Sequence, residues 1–142
     1  MKAQPYLNFD GNTEEVFDFY KSVFGGEFLM KMKMSDGPGL DDLPEDEKNR
    51  IMHISLPIGD GIILMGSDIV PSMGHKLTVG NNVYVSLHPD SREDADRIFN
   101  GLSSGGDIEM PMADQFWGDY FGSFADKYGV RWMINYNAKS NE

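Results

Sequence analysis

Three histidines, His53, His75 and His88, a wealth of acids and no cysteine are what this 142-residue chain offers for catalysis or metal binding. The missing thiols exclude cysteine nucleophiles, disulfides, zinc fingers, thioredoxin-like redox work and iron–sulfur clusters. No two histidines stand at HxH or HExxH spacing. His53 lies in the alternating segment Ile51–Ile58, with Ser55 on its side and Met52, Ile54, Leu56 and Ile58 on the other. Such a histidine is either a hydrogen-bonded packing residue or a general base or pH-sensitive contact. His75 falls in a Pro/Gly connector and His88 beside Pro89, and both read as exposed. The acids from Asp41 to Glu47 lack EF-hand spacing and read as a solvated face or lid. No G-x-G-x-x-G loop follows a strand, so a phosphate cradle is not encoded.

Other side chains offer binding chemistry. Tyr6, Tyr84, Phe116, Trp117, Tyr120, Phe121 and Trp132 can stack on a flat ligand, although Trp132 shares strand parity with Val130 and Ile134, which points it into the core. Phe116-Trp117-Gly118 sits where the chain should turn, so its aromatics either fold back or meet a partner chain or ligand. Arg131 shares a face with Met133 and Asn135. It is either an anchor for a carboxylate or phosphate or a surface arginine paired with an acid. Ten methionines read first as adaptable core and second as a permissive ligand surface. Lys+Arg 12 against Asp+Glu 23 gives 12 − 23 = −11. That charge disfavours nucleic acid and anionic membranes and suits a neutral or cationic small organic molecule. No apolar run approaches the roughly 20 residues of a membrane span and the start MKAQPYLNF lacks a signal-peptide core, so a cytoplasmic location is expected.

The elements that must position these groups follow from periodicity. Gln4–Phe9 alternates as a strand. Asn12 with Glu15 resembles a capping box, the Asn side chain accepting from an orphan amide, before a stripe of Val16, Phe19, Tyr20, Val23 and Phe24 that Gly25-Gly26 stops. Glu27–Met34 is the next strand, 35–50 a solvated loop, and Ile51–Ile58 with Ile62–Ser67 a hairpin across Gly59-Asp60-Gly61. The pattern then begins again. Asn82–Leu87 alternates, Ser91 caps a helix with Ala95, Ile98, Phe99 and Leu102 on one face, and Gly105-Gly106 ends it. Strands near Ile108–Met112, Tyr120–Ala125 and Val130–Asn135 complete the repeat. The glycine pairs align at an offset of about 80 residues and Tyr6 aligns on Tyr84 at about 78. The prediction is an α+β fold of duplicated βαβββ modules: a single domain with a first module at 1–68, a connector at 69–81, a second module at 82–137 and a tail at 138–142.

The segments PYLNFDGNTEEVFDFYKSVFGGEF, IMHISLPIGDGIILMGSD and DQFWGDYFGSFADKYGVRWMINY resemble the PhnB-like branch of the vicinal oxygen chelate superfamily, which contains glyoxalases, bleomycin-resistance proteins and extradiol dioxygenases. The resemblance covers nearly the whole chain, and the FWG to GVRWMIN stretch is its specific part. It implies a homodimer whose modules form cupped mixed sheets, covered by helices on one side and enclosing a substrate cavity on the other. The helix side would then hold Pro5, Leu7, Phe9, Met52, Ile54, Leu56, Val83, Val85 and Leu87. The ligand pocket would draw on Gln4, Tyr6, Asn8, His53, Ser55, Met65, Ser67, Asn82, Tyr84, Ser86, Trp117, Arg131 and Met133.

Metal-using relatives take ligands from the first and last strand of each module, slots that fall here on Gln4, Met65, Asn82 and Met133. Two thioethers and two amides carry no charge and hold a divalent cation poorly, so no metal and no other cofactor is expected. Three readings follow. One is a metal-free small-molecule-binding protein. The alternative is a metal-dependent glyoxalase-, lyase- or dioxygenase-type enzyme acting on a small polar substrate, with His53 as candidate catalytic residue. The third is an interaction subunit that buries the Trp117 loop in another chain. Branch names that mention a ubiquinone methyltransferase or phosphonate breakdown find no supporting motif.

Overall fold

The computed structural model describes residues 1–138, so the predicted tail from residue 139 onward lies outside the described residues. The chain divides into a unit spanning Met1–Thr78 and a second that begins at Val79. Each holds one mixed four-stranded sheet and one long helix, the duplicated arrangement that the repeat predicted.

In the first unit, β1 (Tyr6–Phe9) leads through α1 (Thr13–Phe24) to β2 (Met30–Lys33), the single helical turn α2 (Glu45–Lys48), β3 (Ile51–Gly59) and β4 (Ile62–Asp68). The sheet order is β1-β4-β3-β2, with β1 parallel to β4 and the other pairs antiparallel. One face packs on α1, where Val16, Phe17 and Tyr20 meet a core of Ile51, Ile54, Leu56 and Leu64. Phe17, outside the predicted stripe, is fully buried, while Phe19, Val23 and Phe24 are only half-buried. The reason lies in β4: a Cβ on Gly66 would stand 2.7 Å from the Phe17 ring, so the bare glycine is what admits it. At the far end of α1, Gly25 adopts φ 79°, a conformation that favours glycine as a stop.

Asn12 precedes the helix but does not cap it with its side chain. The acceptor comes from the end of β4 instead. Asp68 Oδ1 takes Gly11 N–H at 2.9 Å, Thr13 N–H at 3.1 Å and Thr13 Oγ1–H at 2.6 Å, and Oδ2 takes Ile51 N–H at 2.8 Å. A carboxylate serves three backbone donors better than an amide can. The loop at 35–50 is also less solvated than its composition suggested. Glu47 is buried and accepts from Ser72 N–H at 2.9 Å and from the Ser72 hydroxyl, pinning α2 to the segment after β4. Met52, expected on the helix side, is exposed. Lys33 pairs with Ile51 and Met32 with His53, so Met52 is the extra residue of a bulge that turns Ile51 inward in its place.

In the second unit, β5 (Val85–Leu87), α3 (Arg92–Ser103), β6 (Asp107–Asp114), β7 (Tyr120–Ala125) and β8 (Arg131–Tyr136) form the order β5-β8-β7-β6. Ser91 caps α3 as predicted, its hydroxyl accepting from Asp94 N–H at 3.0 Å. Ala95, Phe99 and Leu102 pack with Phe124, Trp132 and Ile134. β5 is shorter than the predicted Asn82–Leu87, and Val83, expected on the helix side, is 74% exposed. The parallel ladder starts at Val85 opposite Trp132, and β8 begins only one residue earlier, so nothing is left to pair with Asn82 or Val83.

Candidate functional site

Each sheet has one face turned away from its helix, and the register brings a repeated set of residues together there. In the first unit Met30 stands opposite Ser55, Ser55 opposite Met65, and Met65 opposite Tyr6. In the second, Met110, Ser123, Met133 and Ser86 form the same row in the same strand order. On this register Tyr6 corresponds to Ser86, an offset of 86 − 6 = 80 that agrees with the paired glycines and replaces the alignment on Tyr84.

On the first unit's open face, the next row sets Met32 beside His53 and Asn8 beside Ser67. The Ser67 hydroxyl donates to Asn8 Oδ1 at 3.3 Å. The Tyr6 phenol lies 3.3 Å from His53 Nδ1, with the two rings 5.7 Å apart and tilted by 35°. Tyr6, Asn8, His53, Ser55, Met65 and Ser67 are therefore gathered on one surface. Gln4 precedes the ladder and is engaged otherwise: its Nε2 donates to Gly61 O at 2.8 Å and its Oε1 accepts from Ile63 N–H at 2.9 Å. The side-chain amide thus continues the sheet where the backbone of β1 has not yet begun.

On the second unit's open face, the Tyr84 hydroxyl lies 2.9 Å from both carboxylate oxygens of Glu109, and Arg131 Nη1 donates to Glu109 Oε2 at 3.1 Å. The guanidinium carbon lies 6.0 Å from the centre of the Tyr84 ring. Arg131 is thus the partner of an acid, while its Nε is buried with no hydrogen-bond partner. Periodicity missed Glu109. Ile108 pairs with Phe124 and Met110 with Ser123, so Glu109 is the extra residue of a β6 bulge, and strict alternation cannot say which way it points. Ser86 contacts His88 Nε2 at 3.3 Å and stands opposite Met133, whereas Asn82 is exposed outside any strand.

Trp117 lies in the β6–β7 turn, 54% exposed, with its Nε1–H donating to Asp119 Oδ2 at 2.9 Å. Its neighbour Phe116 is 97% exposed and meets the indole edge-on, ring centres 4.9 Å apart. Asn137 donates to the other Asp119 oxygen at 2.5 Å. These bonds, Asn137 first and then Trp117 and Asn135, hold the Asp119 carboxyl below the usual range, helped by the charge of His88. The aromatic tip is therefore anchored at its base and open at its end. Trp132 is wholly buried, as parity required, and donates to Asp126 Oδ2 at 2.9 Å.

Among the described residues, no three histidine, aspartate or glutamate side chains gather closely enough to hold a metal ion. The positions that the resemblance implies as metal slots hold no charged donor. Met65 and Met133 offer uncharged thioethers, and both ends of the Gln4 amide are already bonded.

The paired βαβββ units match a family model over residues 4–134, that of the glyoxalase, bleomycin resistance protein and dioxygenase superfamily. The chain belongs to this superfamily. Protein YjdN of Escherichia coli (strain K12) is 32% identical over 143 residues, covering 95% of each chain. The crystal structure of protein PA1353 from Pseudomonas aeruginosa is 36% identical and superposes with a TM-score of 0.84, over 96% of this chain and 98% of that one. A Bacillus cereus structure described as a putative 3-demethylubiquinone-9 3-methyltransferase, PhnB protein, shares the fold at a TM-score of 0.74 and 24% identity, over 96% and 99% of the two chains. The chain's structural neighbours thus include a protein described as PhnB. No helix among the described residues is long and apolar enough to cross a membrane.

Proposed function

We propose that this protein binds a small organic molecule on the open faces of its sheets, without the divalent centre that metal-using members of the superfamily hold. The observation that carries this reading is the chemistry of the inherited slots: thioethers at Met65 and Met133, and at Gln4 an amide whose two ends close the sheet. What remains on those faces is hydrogen-bonding and polarisable: Tyr6 with His53, Ser67 with Asn8, and Tyr84 and Arg131 around Glu109. Such a mixture orients an uncharged or cationic ligand through a few polar contacts on a soft surface. We place the protein in the PhnB-like branch, as one cytoplasmic domain of two modules that pairs as a homodimer.

A second reading, a metal-dependent glyoxalase-, lyase- or dioxygenase-type enzyme acting on a small polar substrate, draws on the Tyr6 and His53 pair. A phenol held at Nδ1 orients an imidazole whose Nε2 can exchange a proton with a substrate. Elemental analysis of the purified chain, before and after dialysis against Ni²⁺, Zn²⁺, Mn²⁺ and Fe²⁺, separates the two. No retained divalent ion, together with a melting-temperature rise for members of a ligand panel, is the expected result. One divalent ion per chain, lost in His53→Ala, overturns the binding reading in favour of the enzyme.

A further inference from the structure

The open face of the first unit's sheet carries a donor set of another kind, away from the inherited slots except at Met65. Met32 stands directly opposite His53 across β2 and β3. Met30 and Met65 flank Ser55, two residues along β3 from His53, one on each side. Opposed side chains on a sheet have Cβ atoms about 5 Å apart and diagonal ones about 7–8 Å, which long side chains bridge. An unbranched thioether with three free torsions does so readily. Three sulfurs can therefore converge on one imidazole. The Tyr6 phenol at His53 Nδ1 orients that ring and leaves Nε2 for a ligand, the outer-shell arrangement that metal-bound histidines use. None of the four belongs to the helix-side core: Met30 is 46% exposed, and Met32, His53 and Met65 are half-buried. Lys31, between the methionines of β2, pairs with Glu14 of α1 and leaves their face without its charge.

We propose that Met30, Met32, Met65 and His53 form a binding site for a soft monovalent cation, Cu(I) or Ag(I), through three Sδ atoms and Nε2. Thioethers select soft ions, and a monovalent cation does not require the anionic donors that a divalent one does. The binding involves no change of oxidation state. It does not rest on the organic-ligand reading, since its donors are argued from strand register and its test reads the binding of an ion.

The second unit supplies an internal control. Its sheet repeats the row of Met110, Ser123 and Met133, but the next row holds Ala113, Phe121 and Asn135, with no third thioether, and its imidazole, His88, lies beyond the end of β5 against Ser86. Titration of the full chain, carrying methionines labelled with ¹³C at the methyl group, with Ag(I) in chloride-free buffer tests the assignment. The expected result is saturation at one equivalent, with the methyl signals of Met30, Met32 and Met65 moving together while Met110 and Met133 stay in place. His53→Ala and Met32→Leu should each weaken binding about tenfold or more, and Tyr6→Phe by about tenfold through loss of ring orientation. Unmoved methyl signals elsewhere in each variant report that it remains folded. Signals that shift in order of exposure, Met73 and Met110 along with Met30, overturn the site. So does an affinity that His53→Ala leaves unchanged. Under anaerobic conditions, wild-type protein should withhold Cu(I) from a colorimetric chelator at a concentration where Met32→Leu surrenders it; equal surrender by both overturns the Cu(I) assignment.

Discussion

The two sheets carry the same row of methionine, serine and methionine, yet the residues beside it are exchanged. Ile54 of β3 faces Gly66 of β4, whereas in the second unit Gly122 of β7 faces Ile134 of β8. The glycine has moved from the last strand to the one before it, and the helix aromatic has moved with it. A Cβ on Gly66 would stand 2.7 Å from Phe17, and a Cβ on Gly122 would stand 2.8 Å from Phe99. What the repeat preserves is therefore a volume arrangement, one branched residue, one bare backbone and one ring, and not the residue at each place. Close packing explains this, since a core responds to the filled space at a site more than to which strand supplies it.

The polar anchors differ in another way. Asp68 joins groups 55 and 57 residues back and 17 residues back in the chain. Asp126 accepts from Tyr128 N–H, Val130 N–H and Trp132 Nε1–H, only 2, 4 and 6 residues ahead. One carboxylate ties a helix start and two strands together, and the other shapes a turn.

The largest effect that separates the units should come from these carboxylates. Asp68→Ala leaves several buried donors without an acceptor, at about 1–3 kcal/mol each, and should cost about 4 kcal/mol in denaturant unfolding. Asp126→Ala, whose turn can open locally to water, should cost about 2 kcal/mol. Equal losses would erase the distinction between a long-range and a local anchor. Next come the glycines: Gly66→Ala and Gly122→Ala should each cost about 1–3 kcal/mol by overpacking. Phe17→Leu should recover part of the first loss and none of the second, a coupling that a double-mutant cycle measures.

A smaller effect concerns the loop that only the first unit has. The Ser72 hydroxyl, then its N–H, with help from the Arg50 charge, hold the Glu47 carboxyl below its ordinary value. Its folded pKa is thus lower than its unfolded one. The contribution is present above the unfolded value and lost as pH falls through the folded one. Thermal unfolding of Glu47→Gln should therefore fall less steeply than wild type below pH 4.5, the ordinary value of this group. Parallel curves would place the loop's attachment elsewhere. The smallest effect is expected at the aromatic tip of the second unit. Phe116→Ser should change stability by no more than about 0.5 kcal/mol, because the ring is almost wholly exposed. If the tip is buried between two copies, the same variant should sediment as a smaller species than wild type.

Much of this fold was legible along the chain. The bounds of β7, the Ser91 cap of α3, the Gly59-Asp60-Gly61 hairpin and the burial of Trp132 all follow from alternation and turn chemistry, which act over a few residues. The open-face residues Tyr6, His53 and Ser55 followed from parity for the same reason, while Met65 and Ser67 came with the resemblance. Legibility failed where one residue broke the period. The bulges at Met52 and Glu109 leave no mark in composition, and each reverses the side on which a residue emerges. It failed also for Asn12, a good cap by residue type that a distant carboxylate displaced.

Local periodicity was thus enough for the duplicated plan and for which residues alternate within a strand, whereas the helix-facing sides and the donor slots were read from the resemblance. The neighbours of each donor were settled by strand register, which joins residues tens of positions apart and answers to packing and backbone pairing over whole sheets. That register set Met32 beside His53, Met65 beside Tyr6 and the Glu109 carboxylate within reach of Arg131, because a ladder assembles side chains by pleat and not by distance along the chain.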